Sequence, residues 1–296
     1  MKTRTRGSTT MAGGNTKIAV LSGKGGTGKT TIAVNLSAVA GSVYADCDVE
    51  APNGHLFLPP EPETITEEKI TVLIPSVNHE KCSACRKCVD FCKFGGLAFA
   101  GGRVLVFENL CHSCGGCAII CEEGAISEHK KQIGFARTGK AGTVSFIGGS
   151  LNEGEATGVP VIQNIIEKAE NKGGLVFFDS PPGSGCAVME VVKACDYCLI
   201  VSEPTVFGLD NLKMIISLSN LLKKPFGVVI NKALKSSGII RDYLKSIGRE
   251  PLLEIPYDSN AGKICSEGGL LAKEDAFYRS LFESLLEKIK ITEGED

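Results

Sequence analysis

The sequence predicts an α/β protein: a doubly wound, mostly parallel sheet with a small α+β domain inserted into one of its loops. Three observations carry that expectation. Short, continuously apolar segments alternate with amphipathic helical ones, and unbroken apolar runs suit parallel strands buried on both faces. A glycine-rich turn joins the first such segment to the first helix. The alternation then stops once, from about residue 78 to 128, in a stretch rich in Cys and Gly. The 296 residues, 43% of them hydrophobic, suffice for one large domain and a small insert.

In chain order, residues 1–15 read as a disordered leader: basic, without the apolar core of a signal peptide. Strands are expected at 17–23, 42–47, 143–149, 175–180, 197–203, 226–232 and 251–256. Helices are expected at 29–40, 160–171, 186–194, 208–222, 238–247 and 273–290. In the first helix Ile32, Leu36 and Val39 share a face. Residues 59–75 read as a Pro/Glu-rich approach to the insert. The domains are therefore 16–77 with 129–296, and 78–128 between them.

A net charge of −2 gives no reason to expect nucleic acid or an anionic membrane as partner. No apolar run approaches the roughly 20 residues of a membrane span. Of the thirteen cysteines, eight fall into two regular runs, which points to a metal site in a reducing, cytoplasmic compartment rather than to disulfides.

Gly23, Gly28, Lys29 and Thr30 fit G-x-x-x-x-G-K-[ST] between an apolar strand and a helix, the context in which that motif binds phosphates. Backbone N–H groups from Gly25 to Thr31 (Gly25, Gly26, Thr27, Gly28, Lys29, Thr30, Thr31) curl round phosphate oxygens at a helix N-terminus. Lys29 reaches the β/γ-phosphates, and the Thr30 hydroxyl binds Mg²⁺. The loop also holds a second lysine, Lys24.

Residues 24–31, KGGTGKTT, resemble the deviant Walker A loop of the MinD/Mrp/nitrogenase-iron-protein superfamily of P-loop ATPases. The resemblance extends over nearly the whole chain outside the insert. It implies an ATP-dependent homodimer in which Lys24 reaches the partner's phosphates. It implies that Asp48 orients the attacking water, with Asp46 as supporting carboxylate, and that Asp179 holds the Mg²⁺ shell at the start of a switch loop. It also places Asn231 against adenine and Pro256 in the loop lining the base.

Within the insert, Cys82-x₂-Cys85-x₂-Cys88-x₃-Cys92 is repeated 29 residues later as Cys111-x₂-Cys114-x₂-Cys117-x₃-Cys121. The octad resembles the bacterial two-cluster ferredoxin. By that likeness, Cys82, Cys85, Cys88 and Cys121 hold one [4Fe–4S] cluster, and Cys111, Cys114, Cys117 and Cys92 the other. Residues 98–109 between the runs read as a hairpin. Lys93 and Glu122 stand where the ferredoxin pattern has proline. Zinc is the rival metal, but its Cys₄ sites usually pair two separate C-x₂-C knuckles.

Cys186 follows the Asp179 segment at the offset at which the nitrogenase iron protein has a cluster ligand, without the second cysteine that a bridging cluster needs. Cys195 and Cys198 read as core, their thiols diverging because Cys198 begins a buried strand. Cys265 reads as packing, and the four histidines as surface residues. The last helix reads as packed on the domain, and the acidic tail 291–296 as unsuited to a membrane anchor. Three functions fit: an ATP-driven redox protein with a redox partner, an iron–sulfur assembly or carrier ATPase of the Mrp type, and a non-enzymatic nucleotide-sensing adaptor.

Overall fold

The computed structural model describes residues 15–234 and 238–293. Apart from Asn15, the expected leader lies outside them, as do the side chains of the acidic tail. The strands are β1 (Thr16–Leu21), β2 (Val43–Asp46), β3 (Thr66–Val77), β4 (Leu97–Ala100), β5 (Arg103–Val106), β6 (Ile126–Ala141), β7 (Val144–Leu151), β8 (Leu175–Asp179), β9 (Tyr197–Ser202), β10 (Phe226–Ala233) and β11 (Leu253–Pro256). The helices are α1 (Lys29–Ala40), α2 (Gly54–Phe57), α3 (Lys87–Phe91), α4 (Gly116–Ile119), α5 (Val159–Lys172), α6 (Cys186–Ala194), α7 (Val206–Leu221), α8 (Gly238–Ser246), α9 (Ser259–Ser266), α10 (Leu271–Glu274) and α11 (Ala276–Glu293).

Nine strands form one sheet in the order β11-β10-β9-β1-β8-β2-β7-β6-β3. From β11 to β7 all neighbours are parallel. Successive residues of β1 serve opposite cores: Ala19 and Leu21 face α5 to α8, while Ile18 and Val20 face α1, α10 and α11. That two-sided burial is why these strands are apolar throughout. On α11, Tyr278, Phe282, Leu285 and Ile289 enter the second core, whereas Phe277 is 53% exposed.

The sequence reading of 59–75 as an approach segment is corrected by β3. It pairs antiparallel with β6 from Thr66↔Thr138 to Val77↔Ile126, and β6 pairs antiparallel with β7. Both strands are rich in Lys and Glu because their outer face is exposed, and Pro75 is tolerated because β3 is an edge strand. β6 meets the carboxyl end of β7 at Gly134↔Leu151. Residues 126–133 therefore run on past the sheet, by roughly 25 Å, at the end where the strands of an α/β sheet bind ligands. The Cys-rich segment sits on the tip of this ribbon, closed by Asn78 N–H donating to Ala125 O at 2.8 Å. There β4 and β5 form an antiparallel hairpin, and Cys88, Leu97, Val104 and Ile126 make a small core.

Candidate functional site

The turn after β1 is held open by its glycines. Gly26 and Gly28 have φ of 78° and 91°, a left-handed backbone that disfavours side chains. A Cβ on Gly28 would fall 2.2 Å from Asn231 Nδ2. Asn231 Nδ2 donates to Thr27 O at 2.7 Å, and Lys232 Nζ to Gly26 O at 2.7 Å. The end of β10 thus braces the loop from the side.

Beside it lies a cleft of about 390 Å³ that brings together Gly25, Gly26, Gly28, Lys29, Thr30 and Thr31 with Asp48, Asn231 and Pro256. Thr27 is buried beneath the loop rather than lining the cleft. Tyr257 lies in the same loop as Pro256, and sequence reasoning missed Phe57 and Tyr278, which supply apolar wall; their only signal is position in elements already identified. Cys265, expected simply to pack, also lines the cleft.

Four charged groups converge under the loop. Parallel pairing sets Asp46 beside Asp179, with Lys29 Nζ 3.7 Å from Asp179 Oδ1 and Tyr44 donating its hydroxyl to Asp179 Oδ2 at 3.0 Å. Asp46 accepts N–H groups from Gly54 at 2.9 Å and Asp48 at 3.1 Å. Burial, reinforced by the Asp179 charge, pushes the Asp46 carboxyl up to about 8. Burial also raises Asp179 and Asp48, each opposed by Lys29. Asp179 Oδ1 is buried without a hydrogen bond of normal length. One lysine under three carboxylates leaves a site short of positive charge. An oxygen-rich pocket with an open carboxylate oxygen and the Thr30 hydroxyl fits a hard divalent cation.

Lys24 stands apart from Lys29. Its Nζ lies 2.6 Å from Glu203 Oε2, and Lys232 Nζ lies 2.6 Å from Glu203 Oε1. Cys186 opens α6 and is exposed. The expectation that Cys195 and Cys198 diverge is overturned: their Sγ atoms are 3.7 Å apart in the core. Cys195 precedes β9, so strand alternation does not yet apply to it, and its thiol folds back to donate to Val192 O at 3.2 Å.

In the insert the two cysteine runs have matching backbones. Ala84 and Arg86 (φ 57° and 65°) stand at the same places as Ser113 and Gly115 (φ 54° and 71°), so each run turns left-handed twice between its cysteines, at places where two non-glycine residues in one run hold a strained conformation. Ser113 N–H points at Cys111 Sγ at 3.4 Å and Ala125 N–H at Cys121 Sγ at 3.3 Å. One cavity, of about 370 Å³, is lined by Cys92, Cys111, Cys114 and Cys117. A second, of about 20 Å³, is lined by Cys82, Cys85, Cys88 and Cys121.

Among the described residues, no three His, Cys, Asp or Glu side chains close on a point fit for a single metal ion. The thiols ring spaces instead, each space taking its fourth cysteine from the other run. Burial holds the Cys117 thiol up at about 11 and also raises Cys88. Four soft thiols with apolar neighbours and N–H donors form the donor set of an iron–sulfur cubane at each place; the larger space is open to one, and the smaller would have to widen around it. At the positions that lack proline, Glu122 pairs with Lys87 at 2.6 Å and Lys93 donates to Asp90 O at 3.4 Å. His112, read as a surface residue, is exposed and stacks on Phe94 at 4.0 Å beside the larger cavity.

A model of the CobQ/CobB/MinD/ParA nucleotide-binding domain matches residues 18–271. An uncharacterized protein of Methanocaldococcus jannaschii is 32% identical over 279 residues, 93% of this chain and 96% of its own length. An iron–sulfur cluster carrier protein of Pyrococcus abyssi is 47% identical over 58 residues, 18% of this chain and 20% of its own. The cell division ATPase MinD of Pyrococcus furiosus shares the fold, with a TM-score of 0.58 at 18% identity over 93% of this chain and 98% of its own.

Proposed function

The chain belongs to the CobQ/CobB/MinD/ParA nucleotide-binding family, and from that premise we propose that it hydrolyses ATP as a dimer and couples its nucleotide state to electron transfer through two [4Fe–4S] clusters. The observation that carries this reading is the pair of four-cysteine cavities on the same chain as a complete phosphate loop.

Lys29 and the loop N–H groups bind the β/γ-phosphates, while Asn231 and Pro256 flank the base. Thr30 and Asp179 would hold Mg²⁺, which neutralises charge on the phosphates. Its double charge also answers the excess of carboxylates, so Asp46 and Asp179 can ionise together once it binds. Asp48, at the cleft wall, orients water. Lys24 leaves Glu203 to meet the phosphates of a second copy, where a cation stabilises charge developing in the transition state.

Cys82, Cys85, Cys88 and Cys121 would hold one cluster, and Cys92, Cys111, Cys114 and Cys117 the other; the clusters supply one-electron carriers. The thiols must lose their protons on loading, and the N–H groups of Ser113 and Ala125 then stabilise the sulfur charge. Among the described residues no helix is long and apolar enough to cross a membrane.

The test is anaerobic reconstitution followed by iron and sulfide analysis and redox titration with and without ATP. Iron for two cubanes per chain, with a potential that shifts on ATP, supports the reading; zinc without iron sinks it. Cys117→Ser should abolish one centre and spare the other. The 58-residue likeness to a cluster carrier favours a second reading, in which the chain delivers clusters to other proteins. ATP-dependent transfer of labelled iron to an apo-protein distinguishes it.

A further inference from the structure

One side-chain bridge between the insert and the nucleotide-binding body plays no part in either site's chemistry. Lys131, on β6, donates to Asn109 Oδ1 at 2.7 Å and to Glu155 Oε2 at 3.0 Å. Asn109 belongs to the insert, in the turn Glu108–Leu110 that delivers Cys111. Cys111 N–H closes that turn by donating to Glu108 O at 3.1 Å. Glu155 belongs to the body, in the loop between β7 and α5. The Lys131 and Glu155 side chains are only 18% and 10% exposed, against 49% and 77% for the Lys87–Glu122 pair. Solvent and salt therefore screen the bridge far less than an ordinary surface pair.

The loop that bears Glu155 is packed on the segment that carries Asp48. Leu151 N–H donates to Val49 O at 2.9 Å, and Val49 is buried. Gly158 passes so close that a Cβ there would fall 2.6 Å from Val49 Cγ2. Asp48 lines the cleft. A backbone shift at Asp48 on nucleotide binding would displace Val49, and a close-packed interior passes such a shift on to its neighbours. The neighbours here are Leu151 and Gly158, on either side of Glu155.

We infer that Lys131 is a positioning residue that carries the state of the nucleotide cleft to the Cys111–Cys117 run, by way of Val49, the loop of Glu155, and Asn109. The biological meaning of that movement rests on the function proposed above, but the path uses only residues of this chain. It makes the two cysteine runs unequal. No comparable bridge joins the Cys82–Cys88 run to the body among the described residues, so that run serves as an internal control.

The test is hydrogen–deuterium exchange of the full chain, with and without a non-hydrolysable ATP analogue and Mg²⁺. In the unsubstituted protein the analogue should change exchange at 108–117 and leave 82–88 as it was. Lys131→Met and, separately, Glu155→Gln should lose the change at 108–117 while keeping nucleotide affinity and basal ATPase rate. Lys131→Arg should keep it. A 108–117 segment indifferent to nucleotide, or a response that survives both Lys131→Met and Glu155→Gln, overturns the inference. The exchange is read on the anaerobically loaded protein, and metal analysis of the same sample tests the functional reading separately. Zinc in place of iron, with the response at 108–117 kept and lost in Lys131→Met, would sink the functional reading alone; an iron-loaded protein whose segment does not answer would sink only the bridge.

Discussion

In the body, strands such as β1 and β8 are sealed on both faces, with Ile18, Val20, Phe177 and Phe178 all at 1% exposure or less. In the insert, the packed apolar cluster shrinks to Cys88, Leu97, Val104 and Ile126, while Phe91, Phe94, Phe107, Leu110 and Ile119 stand 45–87% exposed. Burial of apolar area at about 25 cal/mol per Å² can hold the first region together. It cannot hold the second, because so small a core does not offset the chain entropy of ordering its residues. The body is folded by packing. On the function proposed here, the insert is held instead by ligand bonds from its eight cysteines and by the ribbon it stands on. A binding site can thus be rigid because its scaffold is, or because its ligand makes it so.

The largest effect that would break this contrast is loss of the metal. Chelation of iron under anaerobic conditions should open the insert, so that limited proteolysis cuts within 78–125 while the thermal transition of the body stays in place. An iron-free insert as resistant as the loaded one would end the comparison. Next is Lys24→Ala. It should retain nucleotide binding and full iron content, yet lose ATP-dependent dimerisation and roughly 10³-fold or more in hydrolysis, as removal of an arginine finger does. An unchanged hydrolysis rate would remove the trans role of Lys24. Phe178→Ala, in the body core, should cost about 3–5 kcal/mol of stability by denaturant titration. It should leave the spectrum of the insert untouched below the unfolding transition.

How much of this was legible depends on how local the cause is. The parallel strands were, because burial on both faces writes itself as an apolar run such as residues 175–180. The two cysteine runs were, because a repeat displays its own register. β3 and β6 were not: with one face in water they carry Glu67, Glu68, Lys130 and Lys131, and nothing in that composition separates a solvated ribbon from a loop. The Cys195–Cys198 approach was misjudged by applying strand alternation one residue pair too early. Pairings between distant segments, such as Lys131 with Glu155, or Asn231 with the Thr27 carbonyl, have no one-dimensional signal. They exist only once the sheet order brings their elements together.

The smallest effect concerns what holds Lys24 before a partner arrives. Burial pushes the Glu203 carboxyl up, but Lys232 and Lys24 outweigh it and leave it below the usual carboxylate range. Lys24 must therefore give up a charged partner at 2.6 Å before it can reach another chain. Lys24 is 36% exposed and Lys232 44%, so the pair with Lys24 is partly screened and worth about 0.5–1 kcal/mol. Each dimer breaks two such pairs, so Glu203→Gln removes about 1–2 kcal/mol of restraint and should tighten the ATP-dependent dimer by about five- to thirtyfold. Sedimentation equilibrium with the non-hydrolysable analogue measures it. A weaker dimer would mean that Glu203 serves chiefly to hold Lys232 on Gly26 O, and hence the shape of the phosphate loop. Nucleotide affinity separates the two roles, because only distortion of the loop should lower it. Iron content should not move in either case, since Glu203 lies in the packed body and the cysteines proposed to hold the clusters lie in the insert.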